Sequence, residues 1–462
     1  MTPTNQKALL NRLNIIFAII LILLVALGSG KNIFEICYSI LTFAIITNLF
    51  LIKQPVVFFT LCYHALQATI KVFFAEVNQI SLNELNNYSA EADLAEALRL
   101  NCIGLILLSC SIYVFVPKKN FSVNPVKLDI KKLLFVYAAF MLIELLAGTL
   151  SQLSGIFQLV YKLSVLKWSI LFLVVYASMK QKKKYYFISV VAMEVIVSML
   201  SYFSTFKSAL FVTLIAFLIL DFYYLKIRAK YFFIFGGLSV ILIFTWQSIK
   251  GDYRNFLSGG EKSQSVTVDF VEAYDKITDL VSETSQSEQK VINNTIDRIS
   301  YIDFFAESIV YVPNNRPHTN GMLWMESLRH IAQPRLFFPN KKEIDDSQKT
   351  MEYTGLLLAS AEQGTSISLG YMAESYVDFG SYLFVIPIII LGLFIGWLLK
   401  KLSQSGINDL YYWAFCIPFY FQFYGLEMAS EKILGSIVMY SLIAFATIYL
   451  FKKHFDWLES RP

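Results

Sequence analysis

Repeated apolar runs limit this chain more than any other feature. Runs of roughly 17 to 22 apolar residues recur along its 462 residues, each long enough to cross a bilayer as a helix. Only 16% of residues are charged and 56% are hydrophobic, whereas charged residues make up about 25% of a soluble domain. The expectation is an all-α, polytopic integral membrane protein. Spans fall near residues 11–29, 33–52, 55–75, 96–116, 133–151, 157–179, 186–205, 208–224, 231–249, 380–399, 409–425 and 433–451, about twelve in all. Pro55 and Pro117 suit helix boundaries.

The first run, Leu13 to Leu27, has the length of a signal peptide. No small-residue cleavage site precedes Lys31, so it reads as the first span. All five cysteines lie inside apolar runs with no Cys-x-x-Cys pair, which argues against disulfides and a cysteine metal site. The net charge of +5 says less than its placement. Alternate short loops carry the lysines: Lys53, then Lys118 to Lys132, Lys180 to Lys184, Lys226 to Lys230, and Lys400 with Lys401. The bias puts both termini in the cytoplasm, as an even number of spans requires.

The chain divides into three parts: N-terminal membrane helices over 1–249 with about nine spans, a large extracytoplasmic loop over 250–379, and C-terminal membrane helices over 380–462 with about three. Long loops translocate whatever their charge, and loops of this length usually carry function. Phe270, Val271, Tyr274, Ile277 and Val281 predict an amphipathic helix near 268–290. "TNGMLWMESLRHIAQP" predicts a second, with Asn320 as cap, Trp324, Leu328 and Ile331 as its stripe, Pro334 as its stop, and Trp324 at headgroup depth. The smaller outer loop, Glu76 to Glu96, is acidic and carries no obvious chemistry.

Cations gather around the large loop. Lys207 opens one span and Lys250 and Arg254 follow another, while Arg298, Arg316, Arg329, Arg335, Lys341 and Lys342 lie in the loop itself. Singly, such residues snorkel to headgroups. As a set they suit phosphate, which Arg grips bidentately and Lys meets as a point charge. His330 lies one turn from Glu326 and has the chemistry to take a proton from a sugar hydroxyl. Glu374 lies between Tyr371 and Tyr376, a pattern suited to sugar, and Asp378 serves equally well. Glu427 and Glu431 read as salt-bridge partners for loop cations. His64, Gln67, Lys71, Glu144 and Glu194 are intramembrane polar groups, functional candidates by default. "EIDD" at 343–346 has carboxylates for a hard cation but no second ligand set, so no metal is assigned. No phosphate loop, dinucleotide fingerprint or nucleophile elbow is present.

The layout resembles the Wzy-type oligosaccharide repeat-unit polymerases of bacteria, which make O-antigen and exopolysaccharide. The likeness lies in the many spans, the large late loop, and four stretches: "FKSA" at 206–209, "IKGDYR" at 249–254, "QPRLFFPNKK" at 333–342 and "GTSISLGYMAESYVDFG" at 364–380. The resemblance implies a GT-C-like membrane fold in the inner membrane that joins undecaprenyl-diphosphate-linked oligosaccharides on its outer face. Neither nucleotide sugar nor cofactor is implied. A flippase and a chain-length regulator would be partners, with membrane lipids and no nucleic acid. Carried over by position, Arg254, Arg329 and Arg335 hold diphosphate together with Lys207, Lys250 and Lys341, Tyr376 contacts substrate, and His330 or Glu374 is the base. An O-antigen ligase differs only in its acceptor. A transporter for polysaccharide or lipid-linked oligosaccharide explains the intramembrane polar groups but predicts internal repeats, and none is visible.

Overall fold

The computed structural model describes residues 3–117, 126–149, 154–199, 206–259, 267–283, 288–335, 337–338, 341, 344–358 and 366–459. These form nineteen α-helices and no β-strand; a lone antiparallel bridge joins Leu128 to Glu459. The first ten helices are α1 (Pro3–Leu27), α2 (Ile33–Phe50), α3 (Pro55–Val77), α4 (Leu94–Phe115), α5 (Ile130–Thr149), α6 (Ser154–Ser164), α7 (Lys167–Lys180), α8 (Tyr185–Met199), α9 (Lys207–Tyr223) and α10 (Ala229–Leu257). Six shorter helices fill the large loop: α11 (Phe270–Glu283), α12 (Glu288–Ile299), α13 (Asp303–Asn314), α14 (Met322–Ala332), α15 (Asp346–Thr354) and α16 (Tyr371–Leu383). The chain ends with α17 (Val385–Ser403), α18 (Asp409–Cys416) and α19 (Ser430–Phe451).

Among the described residues, seven segments are long and apolar enough to cross a membrane: Asn5–Leu27, Ile33–Phe50, Pro55–Val77, Leu94–Phe115, Leu159–Lys180, Val385–Ser403 and Ser430–Leu458. An eighth is α10, if its halves Lys230–Trp246 and Ser248–Leu257, bent by 58°, are one span. The chain is therefore a multi-pass membrane protein in its make-up. The outward residues agree, since Ile15, Ile19, Ile22 and Leu27 on α1 and Phe233 and Ile241 on α10 face out of the bundle. A water-soluble surface seldom carries so continuous an apolar band. The expected span at 409–425 is broken: α18 gives way at Ile417 to a 3-10 segment, Ile417–Gln422, which begins at the Ile417–Pro418 pair. Proline has no N–H to continue the ladder.

The helices α4 and α17 pack so closely that their backbones nearly touch. A Cβ on Gly392 would lie 2.9 Å from the Leu108 carbonyl oxygen, and one on Gly396 only 2.4 Å from that of Ile112. Two glycines four apart make a smooth groove, as small residues do in close membrane helix pairs.

The large loop is a layer of packed helices. Here α13 rests on α4, α14 lies along α19, and α12 meets α3 and α10. The acidic loop after α3, which carried no obvious chemistry, seats this layer: Ser89 donates N–H (3.0 Å) and O–H (2.9 Å) to Glu307, and Lys71 donates to the Leu85 carbonyl. Two helix expectations need correction. The helix expected near 268–290 is described as α11 up to Glu283 and as α12 from Glu288, with 284–287 outside the described residues; Ala273, Ile277 and Leu280 face inward, whereas Tyr274 and Val281 are exposed. On α14 the buried side is Leu323 with Ser327, Leu328 is exposed, and Trp324 turns inward to donate its indole N–H to Ser375 at 3.0 Å, not outward to lipid headgroups. Lys342 and Glu343 lie outside the described residues.

Candidate functional site

The stretch "YMAESYVDFG" is the keystone of this layer. On α16, Glu374 and Asp378 are one turn apart, fully buried, and each plugs the N-terminus of a different helix. Asp378 accepts the N–H groups of Leu323 and Trp324, both at 3.0 Å, and so caps α14; Asn320, the expected cap, turns back to the His318 carbonyl instead. Glu374 accepts the Ser430 N–H at 2.8 Å and its hydroxyl at 2.5 Å, and so caps α19. Both carboxylates meet the positive end of a helix dipole. Lys349 binds Glu374 at 3.0 Å and Glu431 at 2.5 Å. Burial works against its charge, but the two carboxylates outweigh burial and raise its pKa. Tyr376 is buried, and its hydroxyl donates to the Val312 carbonyl at 3.1 Å. Neither Glu374 nor Tyr376 lines either of the two cavities beside the keystone, which corrects their expected places as base and substrate contact: the acids and aromatics of this stretch bind helices.

The first of those cavities is a groove of about 660 Å³ between α6, α14 and α19. Its mouth holds His330, Arg335, Lys341, Lys162 and Lys432 with Glu431, and its length runs down α19 past Gly435, Val438, Met439, Leu442 and Ala446. Lys341 donates to the carbonyls of His330 and Gln333, closing the C-terminus of α14. Lys162 is held by Gln422 (3.1 Å) and Ser436 (3.0 Å), both uncharged. Partial burial, then Lys341, Arg335 and Lys349, push the His330 pKa down to about 4, so its imidazole is neutral at pH 7. The expected pairing of His330 with Glu326 is not among the ion pairs of the described residues. A basic mouth over an apolar trough fits an amphiphile with an anionic head.

The second cavity, about 560 Å³, is polar. Tyr63 and Gln67 of α3, Tyr88, Lys207, Arg298, Tyr301, Phe304, Tyr424 and Glu427 line it, with Asp346 at its far side. Lys250 and Arg254 stand close enough to repel Lys207 and Arg298. Gln67 donates to Glu427 at 2.5 Å. Lys71 pairs with Asp303 (2.7 Å) and Asp297 (3.4 Å), one cation shared by two acids. The cavities meet at Lys432, which lines both and pairs with Asp346. The expected cation set is thus split: Arg335 and Lys341 line the groove, Lys207 lines the polar cavity, Lys250 and Arg254 lie near Lys207 without lining that cavity, and Arg329 is exposed on α14 at neither. Arg316 is taken by Glu352.

The chain belongs to the family of unknown function DUF8712. The family model matches residues 15–459, which contain both cavities and the keystone. No curated protein and no solved structure is detectably similar. In this DUF8712 chain, sequence reasoning passed over Lys162, Asp346 as a cavity residue, Lys349 and Lys432. Only Asp346 carried a signal, within "EIDD", and it pointed to a metal. Among the described residues no group of His, Cys, Asp and Glu is arranged to hold one. Asp345 instead caps α15 through the Gln348 N–H. Among the intramembrane groups, His64 is fixed by Tyr371 (3.1 Å) and the Phe423 carbonyl (2.8 Å), while Lys167 joins Glu144 and Glu194, with Tyr137 donating to Glu194 at 2.5 Å.

Proposed function

We propose that this protein is a glycosyltransferase that polymerises undecaprenyl-diphosphate-linked oligosaccharide repeat units on the outer face of a bacterial inner membrane. The observation that carries the reading is the groove, with cations and a neutral histidine at the mouth and an apolar trough down a membrane helix. A diphosphate on a polyprenyl tail has the same division into charge and grease. The polar, aromatic-lined cavity beyond Lys432 supports it, because an acceptor glycan needs room beside the donor's first sugar.

The bond changes are simple. An acceptor hydroxyl oxygen bonds to the donor's anomeric carbon, the carbon–oxygen bond to diphosphate breaks, and undecaprenyl diphosphate leaves with the electron pair. Arg335, Lys341 and Lys432 meet that growing negative charge. Of the two expected bases, only His330 lies in the groove; Glu374 is committed to Lys349 and Ser430. His330 takes the acceptor proton. In topology, α5, α8, α9 and the distorted α18 segment add crossings to the eight long ones, giving about twelve in a GT-C-like arrangement. Both termini are then cytoplasmic and the helical layer outside, where a flippase would deliver substrate and a chain-length regulator would act.

The test is purified protein in lipid nanodiscs with a radiolabelled undecaprenyl-diphosphate oligosaccharide. A product ladder on a gel, lost in Arg335→Ala and His330→Ala, is expected. A single product on added lipid A core in place of a ladder would make it a ligase. The Lys167–Glu144–Glu194 group, with Lys167 and Glu194 buried, favours a second reading, transport of the same lipid-linked oligosaccharide, because such charges mark ion paths in carriers. Label that crosses a vesicle membrane without any ladder would establish that reading and end the first.

A further inference from the structure

We infer that a hollow between the α7–α8 and α9–α10 turns binds the headgroup of an anionic phospholipid. The inference stands on the multi-pass make-up of the chain and not on the transfer reading. The hollow, of about 610 Å³, lies at the opposite end of α9 and α10 from Lys207 and Lys250. The length of α9, about 25 Å at 1.5 Å per residue, separates it from the polar cavity.

Its lining holds Lys182, Lys184, Lys226 and Arg228, with Met179, Tyr185 and Tyr231, and no acid. Two acids stand in neighbouring turns. Asp221 accepts the Ile227 N–H and Asp129 that of Lys131, both at 2.9 Å, and neither lines the hollow. Lys226 also lines the small cavity that Asp221 lines. Among the described residues, the side chains of Lys182, Lys226 and Arg228 have no hydrogen-bond or ion-pair partner. Lys184 donates to the Tyr231 hydroxyl, and the ammonium groups of Lys184 and Lys230 stand 4.7 and 5.5 Å from the centre of that ring. Lys180 and Lys132, by contrast, are held by the carbonyls of Val126 (3.0 Å) and Trp457 (2.7 Å).

Two helices begin at this hollow, α8 after Lys184 and α10 after Arg228, and neither has an acid in its first turn. The Arg228 side chain makes no cap hydrogen bond. A helix N-terminus is the positive end of the dipole, so cations there are disfavoured until an anion joins them. Lys182 closes the end of α7 with φ +60°, and the Lys183 N–H returns to the Ser178 carbonyl at 2.9 Å. Glycine is the usual residue in such a turn, and a lysine there is strained. The bias that orients loops asks only for charge on one side of the membrane. It does not ask for a left-handed lysine, or for two loops to pool their cations in one hollow. The surroundings favour a lipid over free phosphate. Ile188, Phe233 and Ile234, in the first two turns of α8 and α10, are exposed, as is Tyr185. The hollow therefore sits where apolar helix faces begin, at headgroup depth.

The test titrates the purified full-length protein in detergent and counts bound lipid by native mass spectrometry. The probes are phosphatidylglycerol, zwitterionic phosphatidylethanolamine and inorganic phosphate. One saturable site should prefer phosphatidylglycerol over phosphatidylethanolamine by at least about tenfold. Lys226→Gln combined with Arg228→Gln should remove most of that preference. Lys182→Gly should weaken it too while melting no lower than the parent, because glycine relieves the turn; this variant decides the matter should the double one misfold. Equal binding of the two lipids, or a preference that survives in every variant that folds, overturns the inference. Inorganic phosphate that displaces the lipid from this site overturns it as well, because the hollow then serves a soluble anion.

Discussion

Single side chains here divide into those that hold helices and those that face open space. Asp378 belongs to the first kind. It is buried, and its two oxygens cap two backbone N–H groups of α14. Asp378→Ala strands those donors and should lower stability by about 1–3 kcal/mol, with Asp378→Asn recovering part of it; thermal melting in detergent reads both. His330 belongs to the second kind. The unfolded chain takes its proton near pH 6.5 and the folded chain only near about 4. Stability linked to this group is therefore complete above pH 6.5 and falls away as pH drops towards 4. His330→Gln should flatten the melting temperature over that window, and an unchanged slope would place the histidine in a different environment. The candidate residues were legible as types, but their partners were not. Nothing in the spacing of Glu374 shows that Lys349 and Ser430 come from elsewhere to meet it, because those contacts cross 25 and 56 positions.

At the scale of elements, hydropathy resolves the long helices well, because a run that must satisfy its backbone in hydrocarbon has few other options. It fails where helices are short or interrupted. The 409–425 run is mostly apolar, yet Pro418 and the ring-filled stretch after it give a 3-10 turn in place of a straight span. The faces of α11 and α14 were misassigned for a related reason: on both, a small residue (Ala273, Ser327) shares the buried side, while some larger apolar ones (Tyr274, Val281, Leu328) remain outside. The α4–α17 pair shows the same preference for smallness. Gly396→Leu forces a side chain into the Ile112 backbone and should cost at least about 1–3 kcal/mol, with Gly392→Leu similar. A melting temperature unchanged in either would mean that these helices are not in contact.

For the molecule as a whole, α16 ties the layer of loop helices to the apolar bundle by capping α14 and α19 at once, so the two parts should melt in one transition. The sidedness is open to a direct check. On the proposed topology, a membrane-impermeant maleimide should label Asn314→Cys and leave Gln404→Cys unlabelled in intact cells, since the two residues end α13 in the loop layer and follow α17 beside Lys400 and Lys401. Reversed labelling would invert the topology and put both cavities in the cytoplasm. The groove along α19 has one more consequence. Leu159 and Leu442 at its edge are exposed, so the trough is open sideways to lipid. On the proposed reading, a tail that slides in from the bilayer never leaves hydrocarbon, and the cost of extracting it, about 0.8 kcal/mol per methylene, is never incurred. Encounter becomes a search in two dimensions, and a protein built this way has no means of measuring how long the tail is.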